Sequence, residues 1–247
     1  MTAPARWATL RRFTTARVAL GRAGHALPTA AHLDFQEAHA LARDAVHAAL
    51  DPAPVAAAAA ALDLAVVAVA SEAPDRRAYL LRPDLGRRLR AADAQRLPAA
   101  PGAFVFVVAD GLCATGVSDH APALLRAAVP LLRAAGMSVG PVVIASQARV
   151  ALGDAIGEAM GAGMLAMLIG ERPGLTALDS LGVYLTAAPR RGRTDAERNC
   201  ISNIRPAGLQ PAAAAVKLAW LAGAARRLGE TGVRLKDEQP ATALPAP

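Results

Sequence analysis

Cysteine is nearly missing from this chain: Cys113 and Cys200 are the only two in 247 residues. They form no C-x-x-C pair and join no His/Cys cluster at metal-ligand spacing, so no zinc site is expected. Each alone reads as a small buried hydrophobe in a reducing compartment. Aromatic residues make up 3% of the chain, which leaves few rings for nucleic-acid bases to stack on. Long apolar runs are also lacking. The longest, Val55 to Ala70, is broken by Asp63 and falls short of the roughly 20 residues a bilayer span needs. Near the start, Arg6, Arg11, Arg12 and Arg17 interrupt any signal-peptide core, so an intracellular chain is expected. There is no G-x-S-x-G, no Walker motif and no H-E-x-x-H, which removes the basis for self-contained hydrolase or kinase chemistry. The histidines, His25, His32, His39, His47 and His120, include no i,i+4 pair and read as structural or surface groups.

What the chain does have is alanine and arginine. Its hydrophobic content of 54% is enough for one sizeable core, and an Ala/Val/Leu interior implies helices lying close to their neighbours. The formal charge of +7 comes almost wholly from arginine. These arginines occur in small groups, among them Arg87 with Arg88 and Arg190 with Arg191, without a lysine-rich tail. That pattern suits a phosphate-bearing ligand or an acidic partner, and no nucleic acid or membrane is expected as a partner.

Along the chain, the arm T-T-A-R-V-A-L-G-R-A-G leads to a helix that Thr29 can cap and that must stop at Asp51-Pro52. Beyond it the pattern alternates between strands and helices. The expected strands are Leu62 to Ala70, Phe104 to Ala109, Val139 to Ala145, Met164 to Ile169 and Val183 to Thr186, apolar enough to be covered on both faces. The expected helices are Asp84 to Leu97, Ala121 to Ala135, Leu152 to Met160, Asp195 to Ile204 and Pro211 to Leu228. The fold expected is α/β: a mostly parallel, Rossmann-like sheet flanked by helices, preceded by an N-terminal helical arm. The division expected is residues 1–50 for the arm and helix, 51–235 for the α/β domain and 236–247 for a flexible tail.

Few segments carry polar groups in a specific pattern. Gly161-Ala162-Gly163 resembles a dinucleotide fingerprint, but it ends a helix and feeds a strand, the reverse of what that motif requires. Asp110-Gly111 follows a strand and reads first as an Asx turn, with a ligand role as the alternative. Glu171 is held near the sheet's rim by the turn that Pro173-Gly174 makes. Taken without a ligand in view, it reads as a surface ion-pair member. Thr194 and Glu197 form a capping box, which starts a helix at Asp195 that carries Cys200 and Asn203 and ends before Pro206. Two alternatives stand beside any cofactor reading: a free-standing nucleotide-binding α/β enzyme, and a non-catalytic assembly protein docking an acidic partner through its arginines.

Four separated motifs, T-A-R-V-A-L-G-R-A-G, Y-L-L-R-P-D-L-G-R-R-L, A-D-G-L and G-E-R-P-G through R-N-C-I-S-N-I-R-P, occur here in one order. In these the chain resembles the small subunit of ethanolamine ammonia-lyase, over nearly its whole length. The resemblance implies a cobalamin-associating fold and a hetero-oligomer, in which the large subunit binds most of the ethanolamine substrate and this subunit helps to hold adenosylcobalamin. It also implies cofactor contacts from Val150, Glu171 and Cys200, although Ala148 stands where relatives have glycine. A D-x-H-x-x-G segment is missing, so no protein ligand to cobalt is expected; separately, the resemblance names no side chain of this chain as catalytic. The location expected is the cytoplasm, with a bacterial microcompartment inside it left open.

Overall fold

The computed structural model describes residues 5–240. Residues 241–247, most of the expected tail, lie outside the described residues, as do residues 1–4. Six strands form one sheet in the order β1-β3-β2-β4-β5-β6. They are β1 Val66–Ala70, β2 Phe104–Ala109, β3 Val139–Ser146, β4 Met164–Gly170, β5 Leu181–Ala187 and β6 Asn199–Ile204. The helices are α1 Ala5–Arg11, α2 Thr29–His47, α3 Ala53–Ala60, α4 Arg76–Leu81, α5 Ala91–Ala94, α6 Ala114–Ala134, α7 Leu152–Met160 and α8 Pro211–Leu228.

The expected α/β fold is present, but the sheet is mixed rather than mostly parallel. β1, β3, β2 and β4 pair in parallel, whereas β5 runs antiparallel to both β4 and β6. Loop length explains the change of direction. Residues 171–180 separate β4 from β5, fewer than the dozen or so that a parallel crossover requires.

Two apolar layers cover the sheet. On one face Phe104, Phe106 and Val108 of β2 and Val183 and Leu185 of β5 pack with Leu124 and Leu125 of α6 and Leu218 of α8. On the other, Val105 and Val107 of β2 and Leu165 and Met167 of β4 pack with Leu152 and Ile156 of α7. Every residue of β2 and β4 is buried, the signature of strands covered on both sides. Alanines do much of the helix packing, with Ala214, Ala215, Ala222 and Ala225 of α8 buried as expected. In contrast, α1 and α2 leave Leu10, Leu33, Phe35 and Leu41 exposed, as does Phe13 beyond α1.

Several expected elements require correction. Asp195 to Ile204 is not a helix: residues Asp195–Glu197 make a single 3₁₀ turn, and Asn199–Ile204 is an edge strand. The capping box is real, with Thr194 and Glu197 bonded to each other's backbone, yet a box fixes only the first turn. Ile201 and Ile204 are buried while Cys200 before them and Ser202 and Asn203 between them are exposed, and pairing with β5 buries the isoleucines more fully than a helix surface would. Asp84 to Leu97 likewise splits into a 3₁₀ turn at Leu85–Arg87 and the short α5. Arg88 and Arg90 between them bond the chain leading out of β1. α4, capped by the Asp75 side chain, was not anticipated. α6 begins at Ala114 rather than Ala121 and carries Pro122 and Pro130 within it.

Candidate functional site

Loops following the parallel strands meet at the sheet's carboxyl rim. The chain leaves β2 toward the α6 face and β3 toward the α7 face, which is the topological switch where α/β sheets bind ligands. A cavity of about 300 Å³ opens there, lined among others by Gly111, Arg149, Val150, Glu171 and Tyr184. A second, of about 440 Å³, shares Arg149, Val150 and Tyr184 with it and continues toward Arg193 and Thr194.

Asp110 organises the rim. Its carboxylate accepts from the backbone N–H groups of Gly111 at 2.9 Å, Gln147 at 2.8 Å and Ala148 at 3.0 Å. The Asx-turn reading therefore holds, extended by two bonds that tie the β2 and β3 exits together. Burial pushes its carboxyl above the ordinary range, and those N–H groups and Arg76 work against the rise. Gly111 has φ +56°, and a Cβ there would lie 2.3 Å from the Gly170 carbonyl oxygen. Glycine is required for this close approach of the β2 and β4 exits. Arg76 donates to Gly111 O at 2.8 Å and to Val46 O at 2.7 Å, fastening the end of α2 to the rim.

Glu171 leaves β4 and turns back toward β5 and β6. Ser180 Oγ donates to its Oε2, and the Asn203 N–H donates to the same oxygen at 3.2 Å. Oε2 thus braces the bend at Asn203, whose φ is +59°, while Oε1 has no hydrogen-bond partner among the described residues. Gly182 makes room for the side chain, since a Cβ there would fall 2.9 Å from Oε1. Among the described residues Glu171 pairs with no cation, so the ion-pair reading is not met there.

Tyr184 is the residue that sequence reasoning missed. It sits opposite Cys200 in the β5–β6 register, half-buried on the α7 face of the sheet, where it packs against the edge of that apolar layer. Burial pushes its hydroxyl up to about 12, and the Cys200 thiol and Glu171 add to the rise. Burial likewise raises the Cys200 thiol, with a hydrogen bond from Tyr184 opposing it and the Glu171 charge reinforcing it. At neutral pH both groups are protonated. Cys200 is exposed rather than buried, against the reading of a small buried hydrophobe, whereas Cys113 is buried and donates to Leu178 O at 2.7 Å.

Val150, Glu171 and Cys200 therefore come together around one tyrosine, from the β3 exit, the β4 exit and the edge strand. Alternation along β5 could have pointed to Tyr184, the polar-tipped ring in an otherwise apolar strand. The glycines at 161–163 lie at the opposite end of β4, away from this rim. Gly161 closes α7 with φ +68°, so they serve as a helix stop. Among the described residues, no group of three or more His, Cys, Asp or Glu side chains is arranged to hold a metal ion.

A model of the ethanolamine ammonia-lyase light chain family matches residues 4–236. The chain is 52% identical to the ethanolamine ammonia-lyase small subunit of Xanthomonas campestris pv. campestris, over 94% of this chain and 88% of that protein. It is 53% identical to the protein of the same name from Azotobacter vinelandii, over 94% and 88%. With that of Bradyrhizobium diazoefficiens the identity is 56%, over 93% of this chain and 89% of that protein.

Proposed function

The chain belongs to the ethanolamine ammonia-lyase light chain family, a subunit of a lyase, and on that premise we propose that it holds adenosylcobalamin against the large subunit. The observation that carries this is the convergence of Val150, Glu171 and Cys200 about Tyr184, on a strand pair covered by α8 on one face and only partly covered by the α7 layer on the other. A corrin is a broad apolar plate fringed by amides, so its site needs flat aliphatic contact and a few acceptors. The residues present fit that description. Val150 offers an aliphatic wall, Glu171 Oε1 an acceptor with no internal partner, and Cys200 a small side chain that lets the plate approach the strand.

When bound, the cofactor supplies radical generation; this chain binds, orients and keeps water from one side of it. The raised thiol and hydroxyl fit such a role, because neither is a nucleophile or base at neutral pH. Ethanolamine is held mainly by the large subunit. The exposed apolar residues of α1 and α2, with the basic surface, meet that partner. We retain the division into an arm at 1–50, a Rossmann-like, cobalamin-associating domain at 51–235 and a tail at 236–247. No helix among the described residues is long and apolar enough to cross a membrane, and we place the assembled enzyme in the cytoplasm or in a microcompartment within it.

Purified chain, large subunit and adenosylcobalamin together should release ammonia from ethanolamine, and omission of this chain should abolish the release. Full activity from the large subunit alone would refute the proposal. Glu171→Ala should raise the cofactor concentration needed for half-maximal activity while the subunits still co-purify. A change in ethanolamine KM alone would show that Glu171 has been given the wrong role.

A further inference from the structure

The segment at 79–89, Y-L-L-R-P-D-L-G-R-R-L, borders both cavities: Tyr79 lines the one at Glu171, and Arg87 lines the one of 440 Å³. Tyr79 is fully buried, its hydroxyl donates to Ala148 O at 3.0 Å, and the Arg149 guanidinium stacks 4.2 Å from its ring centroid. The backbone N–H of Arg149 donates to Gly86 O at 2.8 Å. A Cβ on Gly86 would come within 2.9 Å of Arg149 Cγ, so glycine lets the arginine stem lie along this turn. The segment thus fixes Arg149 in place. Its next residue, Arg87, is exposed and lines the cavity without a hydrogen-bond or ion-pair partner among the described residues, whereas Arg88 is tied to Glu72 and Asp84.

Arg193 approaches from another part of the chain and is held by Glu197 and by the carbonyls of Ala187 and Ala188. Three guanidinium groups therefore border the cavity with a single carboxylate, Asp195, which already pairs with Arg198 at 3.4 Å. The Arg149 Nε is buried with no hydrogen-bond partner among the described residues. α7 starts at the same place, and the backbone N–H groups of Val150 and Ala151 just before it find no acceptor among the described residues. Guanidinium forks and a helix start are the donors that favour phosphate oxygens.

We propose that this cavity is an anion site for a phosphodiester and, resting on the reading that the chain binds adenosylcobalamin, that it takes the phosphate of that cofactor's nucleotide tail. Val150 and Tyr184 are common to this cavity and to the one at Glu171, so one ligand can reach both. In cobalamin the carboxylates around the ring are amides, and the tail phosphate is the one anionic group left to meet the arginines.

The test is spectroscopic. The complex with the large subunit is titrated with adenosylcobalamin, adenosylcobinamide phosphate and adenosylcobinamide, the last lacking phosphate, and binding is followed by visible absorption. Arg87→Gln, a change at an exposed and unpaired residue, should weaken the first two by about tenfold, as expected for loss of one charge-assisted hydrogen bond, and leave the third unchanged. Equal weakening of all three, or of none, overturns the phosphate site. If the wild-type complex binds none of the three, it is the cofactor reading that fails, and this assignment with it.

Discussion

The two halves of the sheet obey different rules. In the parallel half, β2 and β4 are buried along their whole length between α6 on one side and α7 on the other. In the antiparallel wing, β6 alternates, with Ile201 inward against the layer that includes α8 and Cys200 and Ser202 outward. The first half spends its side chains on packing. The second is less fully covered: Cys200 and Ser202 of its edge strand face outward, and Tyr184, beside Glu171, is only half-buried at the margin of the α7 layer. Stability and ligand contact are thus divided between regions that share a single hydrogen-bonded sheet.

The join between them is the place to break the molecule. Arg198, at the start of the wing, forms a bidentate pair with Asp154 of α7, both bonds at 2.7 Å, and donates to Thr186 Oγ1 at 3.0 Å. Both side chains are buried, Arg198 at 2% and Asp154 at 4% exposure. Removing one member of such a pair strands the other charge, at a cost of about 3–5 kcal/mol. Arg198→Ala should lose that much in urea denaturation, and the double change with Asp154→Ala should lose clearly less than the sum of the two single changes. Strict additivity would mean that the pair does not clasp the wing to the parallel half.

How much of this division could be read from the chain depends on which signals were local. β2 was legible because six apolar residues in a row, Phe104 to Ala109, leave no alternative. α7 and α8 were legible from their apolar spacing. The wing was misread because Thr194 and Glu197 give a true helix-start signal that extends for one turn. What decides beyond it is pairing with β5, a contact between segments that no local window contains. Val150, Glu171 and Cys200 were selected through family resemblance. Their meeting at Tyr184 follows from register and from the short 171–180 loop, neither of which residue types alone disclose.

Within the sheet itself, a pair of substitutions sharpens the contrast. Leu168 of β4 is fully buried in the α6 layer, and Leu168→Ala should destabilise by about 2–5 kcal/mol through lost burial and a residual cavity. Cys200→Ala, two strands away, should stay within about 0.5 kcal/mol of wild type, as surface changes do, yet weaken uptake of adenosylcobalamin by the complex. Calorimetry of the chain and absorption titration of the complex measure the two effects separately. A Cys200→Ala variant as damaged as Leu168→Ala would show that the wing is core on both faces.

The smallest effect concerns the thiol. Burial and the Glu171 charge raise Cys200 above its ordinary value of 9.0, while the Tyr184 hydroxyl, donating to the thiolate, pulls the other way. The thiolate is the reacting form, so alkylation of Cys200 by iodoacetamide should be slow at neutral pH and accelerate only above pH 9, although the residue is exposed. Tyr184→Phe removes the group that, among the described residues, stabilises the thiolate, and the midpoint of the rate–pH profile should move further upward. Buried Cys113 serves as the silent internal control. A midpoint that falls on Tyr184→Phe would mean that the hydroxyl does not donate to the sulfur, and that this face of the wing is organised by something other than the Tyr184–Cys200 pair.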